Sequence, residues 1–115
     1  MDEALGLIEA VGLTTAITAL DAASKAADIT LIGIEKVIGA GQLVSITIQL
    51  AGEVAAISAA VEAGCEAGNK VGTIISSNII PRPHEELDKI IREFSNNLRG
   101  KKESVENNEL DDQQK

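Results

Sequence analysis

The sequence predicts an α+β domain in which a four-stranded antiparallel sheet carries its helices on one face. Three observations favour this class. Short stretches rich in Ile, Leu, Val and Thr alternate with two Ala-rich stretches of helical periodicity. Glycines and prolines stand at the boundaries between these stretches. The resulting order is β-α-β-β-α-β-α, and its first six elements form the split β-α-β arrangement called ferredoxin-like.

The first part of the chain predicts a strand, a helix and a second strand. The first strand covers 4–9, and Gly12 separates it from a helix over 14–27 with Thr14 as the expected N-cap. The β-rich stretch 28–37 predicts the second strand. The residues expected on the core-facing side of the helix are Leu13, Ile17, Leu20, Ala23 and Ala27.

The second part predicts two more strands and two more helices. The third strand covers 43–50, and a second helix opens at 51–53 and runs to about Asn69. The fourth strand covers 72–80, and a third helix covers 85–98. The core stripe expected on the second helix consists of Val54, Ile57, Val61, Cys65 and Gly68.

The composition predicts a core of small and aliphatic side chains. Hydrophobic residues make up 44% of the chain, which excludes a disordered protein, but aromatic residues make up only 1%. Such low bulk favours close packing and suggests that oligomerisation supplies part of the stability. The sheet face without helices should then be apolar and need cover. The apolar candidates for that face are Leu5, Leu7, Ile32, Ile34 and Ile46.

The chain predicts one domain over 1–94, with its last helix reaching about 98, and a tail over 99–115. The tail is expected to be disordered because it combines dense mixed charge with few apolar residues. The net charge is −8. Residues 95–115 hold four basic and five acidic side chains, so about −7 belongs to the domain. This acidity argues against a nucleic-acid partner.

The sequence also bears on location. The acidic start Met1-Asp2-Glu3 is unlike a secretory signal, and no apolar run reaches membrane-spanning length, so no membrane partner is expected. A single cysteine fits a reducing compartment. These features together predict a cytoplasmic protein.

No catalytic or metal-binding set is visible. His84 is the only histidine and precedes two glutamates at the start of the third predicted helix, where a cap or surface role is expected. Cys65 lies on a predicted core stripe, where a free cysteine usually behaves as a small hydrophobe. One histidine and one cysteine are too few for a typical zinc site. We therefore expect no enzyme activity and no cofactor.

Two segments remain as candidates for function. The Gly39-Ala40-Gly41 loop allows three interpretations: an ordinary hairpin turn, a weak phosphate-binding signal, or backbone amides that line an opening. The second segment is the Pro81-Arg82-Pro83 corner. Two prolines restrict the backbone on both sides of Arg82 and present its guanidinium rigidly. A fixed planar set of donors is suited to docking on a partner.

A series of motifs runs along the chain in a fixed order: Ala4-Leu5-Gly6-Leu7-Ile8-Glu9, Gly12-Leu13, Lys25-Ala26-Ala27, Leu31-Ile32-Gly33-Ile34-Glu35-Lys36, Gly39-Ala40-Gly41, Gly52-Glu53-Val54, Ala63-Gly64, Val71-Gly72 and Ile79-Ile80-Pro81-Arg82-Pro83-His84. In this combination the chain resembles a known family, the hexagonal shell proteins of bacterial microcompartments. The resemblance covers about residues 4–91, and its most specific motif is Ile-Pro-Arg-Pro-His.

The resemblance implies a cyclic homohexamer that tiles edge to edge, together with other shell proteins, around enclosed enzymes. It implies that Lys25 and Arg82 meet the neighbouring tile. It also implies that the loop between the second and third strands rings a central pore for small polar metabolites. The pore-lining residues implied are Gly39, Ala40, Gly41 and Gln42.

The chain departs from the family pattern between Lys36 and Val54, where it is longer than the usual spacing, so the identity of the narrowest ring stays open. No cysteine lies in the loop, and we expect no iron–sulfur cluster there. The alternative function is a ferredoxin-like regulatory domain that binds a small metabolite between subunits. Such a domain should show a ligand-specific polar cluster, which the sequence lacks.

Overall fold

The computed structural model describes residues 3–39, 43–83 and 93. Its four strands form one antiparallel sheet in the order β2-β3-β1-β4, which confirms the predicted α+β class. The predicted third helix over 85–98 and the tail lie outside the described residues, apart from Glu93, which is helical. The elements are β1 (Ala4–Val11), α1 (Leu13–Ala26), β2 (Thr30–Ile38), β3 (Val44–Gly52), α2 (Val54–Val71) and β4 (Ile74–Ile80).

The sheet has two ends that matter for function. At the hairpin end, β2 turns into β3, and Ile38 pairs with Val44. At the opposite end, which we call the corner end, Leu5 of β1 pairs with Ile80 just before the Pro-Arg-Pro corner. With eight residues in β1, and a rise of about 3.3 Å per residue, the two ends lie roughly 25 Å apart.

The core lies between the sheet and the two helices. Its largest fully buried side chains are Ile8, Ile48, Leu50 and Ile57. Burying each such side chain stabilises the fold by roughly 1.5–3 kcal/mol. A Cβ atom at Gly6 would lie 2.9 Å from methyl carbons of both Ile57 and Val61, so α2 sits directly on β1 at this glycine.

The two helices approach closely because small residues meet between them. Ala19 and Ala23 of α1 are fully buried, and Gly64 of α2 faces them. A Cβ at Gly64 would lie 2.9 Å from the Ala19 carbonyl oxygen and 3.4 Å from the Ala23 Cβ. This seam explains how a chain with so little aromatic bulk closes its core.

The prediction of which α1 residues face the core is largely wrong. Leu13 and Ile17 are 60% and 48% exposed, and Leu20 and Ala27 only flank the core. Of the predicted set only Ala23 is fully buried, and the buried side of α1 is Thr15, Ala16, Ala19 and Ala23. The reason is the seam: bulky side chains would hold the helices apart, so the small ones face inward.

The start of α1 also differs from the prediction. The N-cap is Gly12 at φ 82°, a left-handed conformation that favours glycine, and not Thr14, which lies inside the helix. The Gly12 carbonyl accepts a hydrogen bond from the Ala16 amide at 3.2 Å. The Thr14 carbonyl accepts one from the Thr18 hydroxyl at 2.9 Å.

The start of α2 differs in the opposite direction, because this helix begins later in the chain than predicted. Ala51 and Gly52 extend β3 and pair with Leu5 and Ala4, so the predicted opening at 51–53 is wrong. Val54 is 51% exposed, and Cys65 is partly buried beside the core. The buried stripe is Ile57, Ala60, Val61, Gly64 and Gly68.

The face of the sheet opposite the helices is more polar than predicted. Because Gly6 faces α2, alternation places Leu5 and Leu7 on the opposite face, as expected. Ile34 and Ile46 instead share the side of Ile8 and Ile48 through the strand register, so the prediction is wrong for both. Ile32 lies at a register shift in β2. The face also carries Glu9, Glu35, Thr47 and Gln49.

Candidate functional site

The loop between β2 and β3 is closed at its base by backbone hydrogen bonding. The amide of Gly39 donates to the carbonyl of Leu43 at 2.9 Å. Because β2 and β3 pair as antiparallel neighbours, the Gly-x-Gly loop connects the two strands of a hairpin. Among the described residues, a Cβ at Gly39 would meet only the Leu43 carbonyl oxygen, at 3.8 Å. The other predicted pore residues, Ala40, Gly41 and Gln42, lie outside the described residues.

Lys25 lies in the last turn of α1 at the corner end, where a cation complements the helix dipole. Its Nζ lies 2.7 Å from Oδ2 of Asp21, one turn earlier, and the lysine side chain is 76% exposed. An exposed pair of this kind contributes little to folding stability. Lys25 is therefore available for contact with another molecule.

Arg82 is exposed and lies between an exposed Pro81 and a buried Pro83. The buried proline packs the corner against the domain, while the arginine is exposed to solvent. Within residues 3–39 and 43–83, Arg82 has neither an ion pair nor a hydrogen bond. Its exposed guanidinium presents N–H donors suited to a partner.

The structure places the two predicted cations at one end of the sheet and the glycine loop at the other. Lys25 precedes the start of β2, and Arg82 follows the end of β4, both at the corner end. Gly39 lies at the hairpin end, roughly 25 Å away. The arrangement is suited to two separate contacts and not to a single catalytic cleft.

Groups suited to hold a metal are not brought together in the described part of the chain: no cluster of three or more His, Cys, Asp or Glu side chains occurs there. The Cys65 thiol packs beside the core, and His84 falls outside the described residues. No helix among the described residues is long and apolar enough to cross a membrane.

The sequence analysis missed one feature of the sheet face opposite the helices. Gln49 is only 9% exposed, and its Oε1 has no hydrogen-bond partner within the described residues. The amide lies over Gly33, where a Cβ would collide with it. The available signal was a glycine inside a strand, which often marks a close approach of another group.

The sequence analysis also missed the exposed apolar side chains near the hairpin end. Leu43 is 63% exposed, and Ile38 is 65% exposed. The pattern placed Ile38 after the second predicted strand and Leu43 at the start of the third, and alternation identifies the faces of a strand but not the exposure of residues at its ends.

Comparison with known proteins identifies the family. Residues 4–83 match the BMC domain. The chain is 45% identical over 89 residues to the bacterial microcompartment shell protein PduA of Citrobacter freundii, covering 77% of this chain and 91% of that protein. It is 41% identical over 88 residues to EutM, a bacterial microcompartment shell protein of Escherichia coli strain K12, covering 76% and 87%.

The similarity extends to carboxysomes and to a solved structure. The carboxysome shell protein CcmK1 of Thermosynechococcus vestitus is 41% identical over 90 residues, covering 76% of each chain. The crystal structure of a microcompartment protein from Desulfitobacterium hafniense superposes with a TM-score of 0.67 at 30% identity. This superposition covers 77% of the present chain and 48% of that one, so the chain spans about half its length.

These matches and the fold define a BMC domain, the building unit of microcompartment shells. The chain belongs to this family of bacterial microcompartment shell proteins.

Proposed function

We propose that the chain assembles into a cyclic hexamer that tiles into the facets of a microcompartment shell in the bacterial cytoplasm. The observation that carries the proposal is the separation of the two contact sites. Exposed Lys25 and exposed Arg82 lie at the corner end, and the glycine loop lies at the hairpin end. A ring with the hairpin ends at its axis directs every pair of cations outward, where neighbouring tiles meet.

The second part of the proposal is a central pore. The loop is small in bulk, since it contains Gly39, Ala40 and Gly41, with Gln42 adjacent. Six such loops around an axis line an opening with backbone amides and one polar side chain each. Backbone N–H groups favour anionic or polar solutes. Small polar metabolites are therefore the proposed cargo, and the enclosed enzymes and other shell proteins are the proposed partners.

The third part concerns the chemistry that the protein does not perform. The relatives are shell proteins by name. Within the described residues, no group of three or more His, Cys, Asp or Glu side chains is placed to hold a metal ion, and Cys65 packs beside the core. We propose a structural role for the chain and not an enzymatic one.

Electron microscopy of the purified full chain tests the proposal. The expected images show six-fold rings, together with sheets or tubes made of them. Discrete dimers that change only when a metabolite is added would contradict the shell role. They would favour the regulatory-domain alternative.

A further inference from the structure

The sheet face opposite the helices carries two carboxylates in one row. Glu35 and Glu9 lie on either side of Thr47, because both residues pair with it across β2, β3 and β1. Neighbouring strands lie about 4.8 Å apart, so the Cα atoms of the two glutamates are roughly 10 Å apart. We call Glu9, Thr47 and Glu35 the acidic row.

The four cations of the described residues lie away from the acidic row. Lys25 belongs to α1, Lys70 belongs to α2, and Arg82 stands at the corner. Lys36 pairs with Ile46, which lies on the helix side of the sheet. Within the part of the chain that the structure describes, the acidic row therefore shares its face with no basic side chain.

A buried acceptor on the same face also lacks a donor. Gln49 is 9% exposed, and its Oε1 atom has no hydrogen-bond partner among the described residues. This oxygen lies over Gly33, two residues along β2 from Glu35 and on the same face. A buried acceptor that is left unpaired is unfavourable. The amide oxygen and the acidic row together indicate a partner that brings N–H donors and positive charge.

The chain beyond the corner holds most of the basic residues. Six of the ten lysines and arginines follow Pro83. Three of these six fall within residues 99–102, Arg-Gly-Lys-Lys, which contain no acid and which we call the basic segment. Residues 103–115 instead carry five acids and one lysine, so an acidic surface repels them. The basic segment is thus the part of the tail that complements the acidic row.

We propose that the basic segment docks on the acidic row of its own protomer. Charge complementarity carries the inference, since three cations meet two carboxylates and one N–H donor satisfies Gln49 Oε1. Lysine and arginine bind carboxylates through charge-assisted hydrogen bonds. Docking turns an acidic face into one with an excess of positive charge, and so sets the charge that this face presents to solutes and partners. The inference goes beyond the proposed ring and does not depend on it, because every group belongs to one protomer.

The chain is long enough for this contact. It leaves the described fold at Pro83, at the corner end, and the fifteen residues 84–98 separate Pro83 from the basic segment. Even a fully helical stretch of this length spans about 22 Å, at 1.5 Å per residue. Glu9 lies four residues along β1 from Leu5, which pairs with Ile80 at the corner end. The distance to be covered is therefore roughly 13 Å.

Disulfide trapping in the full chain tests the docking. In a Cys65→Ser background, Thr47→Cys places a thiol within the acidic row, and Gly100→Cys places one in the basic segment. At low ionic strength an intramolecular disulfide should form. Salt at about 1 M should slow its formation by roughly fivefold or more, because exposed ion pairs are screened.

Neutral variants identify the acids involved. In the same background, Glu9→Gln combined with Glu35→Gln should slow the disulfide at low salt to the rate seen at high salt. The matched control is Glu62→Gln combined with Glu66→Gln, which removes two exposed acids of α2 and the same amount of charge. The control should keep the rate of the parent.

A charge exchange gives the sharper result. Lys101→Glu combined with Lys102→Glu should slow the disulfide as strongly as salt does, because the segment is then repelled by the acidic row. Adding Glu9→Lys and Glu35→Lys to that variant restores opposite charges. The rate should then recover, and it should again fall at high salt.

The outcomes separate this inference from the proposed function. A disulfide rate that is insensitive to salt, or equal in the acidic-row variant and its control, would overturn the docking. A disulfide that forms only between two protomers, seen on a non-reducing gel, would overturn it as well. Should Thr47→Cys not fold, Ser45→Cys takes its place, since Ser45 lies on the same face one row nearer the hairpin end. Failure of the chain to form rings would contradict the proposed function alone.

Discussion

The close seam between the helices makes Gly64→Ala an informative change. The added methyl would lie 2.9 Å from both the Ala19 carbonyl oxygen and the Ile8 Cδ1 atom. The oxygen belongs to the backbone of α1 and moves only if the helix moves. Overpacking of this kind costs about 1–3 kcal/mol, whereas replacing glycine by alanine in a helix returns about 1 kcal/mol. We expect a net loss of up to about 2 kcal/mol in the free energy of unfolding.

The assay is urea unfolding followed by circular dichroism, at one fixed protein concentration because assembly contributes to stability. Ala59→Gly is the control, since Ala59 is exposed on α2 and reports the helix propensity without the seam. It should lose about 1 kcal/mol. Gly64→Ala could instead raise the free energy of unfolding by as much as Ala59→Gly lowers it. The added methyl would then cause no steric clash, and the close approach of the two helices would be refuted.

Three further sets of changes test the proposed tile contacts, the pore and the role of the C-terminal segments. Lys25→Ala and Arg82→Ala should leave the melting temperature nearly unchanged but weaken sheet formation, as seen by electron microscopy. Ala40→Trp should reduce metabolite flux through assembled shells while the hexamer persists in size-exclusion chromatography. Truncation after Gly100 should leave the hexamer intact by light scattering, whereas truncation after Pro83 should abolish it by removing the third predicted helix.

Each of these changes has a control or a contradicting result. Lys70→Ala removes a lysine that is similarly exposed and similarly paired, with Glu66 at 3.8 Å, but lies at the far end of α2. It should not affect tiling. Sheets formed equally by the Lys25 and Arg82 variants would contradict their proposed role. Unchanged flux in Ala40→Trp shells would place the opening elsewhere. A monomer after the Gly100 cut would make the tail an assembly element.

The element order was predictable because local patterns determine it. Alternating aliphatic stretches identified all four strands, and the corner after Ile80 ended β4 as the prolines require. The boundaries at Ala51 and Gly52 were not predictable. Both residues are common in helices and loops, and only pairing with β1 draws them into β3.

The buried sides of the helices were harder to predict than their existence. Hydrophobic periodicity assigned Leu13 and Ile17 to the core because both are bulky apolar residues of α1. The structure buries Ala19 and Ala23 instead, because glycines on the opposing helix set the distance between the helices. A pattern within one helix carries no information about the size of residues on another. The same limit hid the position of β4 at an edge of the sheet that the described residues form, since edge strands are defined by topology.

The placement of the two candidate sites followed partly from the sequence. The residue pattern singled out Arg82 and the glycine loop, and the resemblance to shell proteins added Lys25. Their separation at opposite ends of the sheet required the strand register. The roles of these residues at a pore and at a tile edge stay predictions.

The central claim is that the hairpin ends meet at the axis of a ring and the corner ends lie at its rim. Electron paramagnetic resonance between identical spin labels tests it directly, in a Cys65→Ser background that removes the native thiol. Labels at Ala40→Cys should be closer to each other than labels at Ser24→Cys, beside Lys25. In a six-fold ring the distance between neighbours equals the radius, so the difference should approach roughly 25 Å if the strands run radially. Equal distances, or shorter ones between the Ser24 labels, would contradict the account.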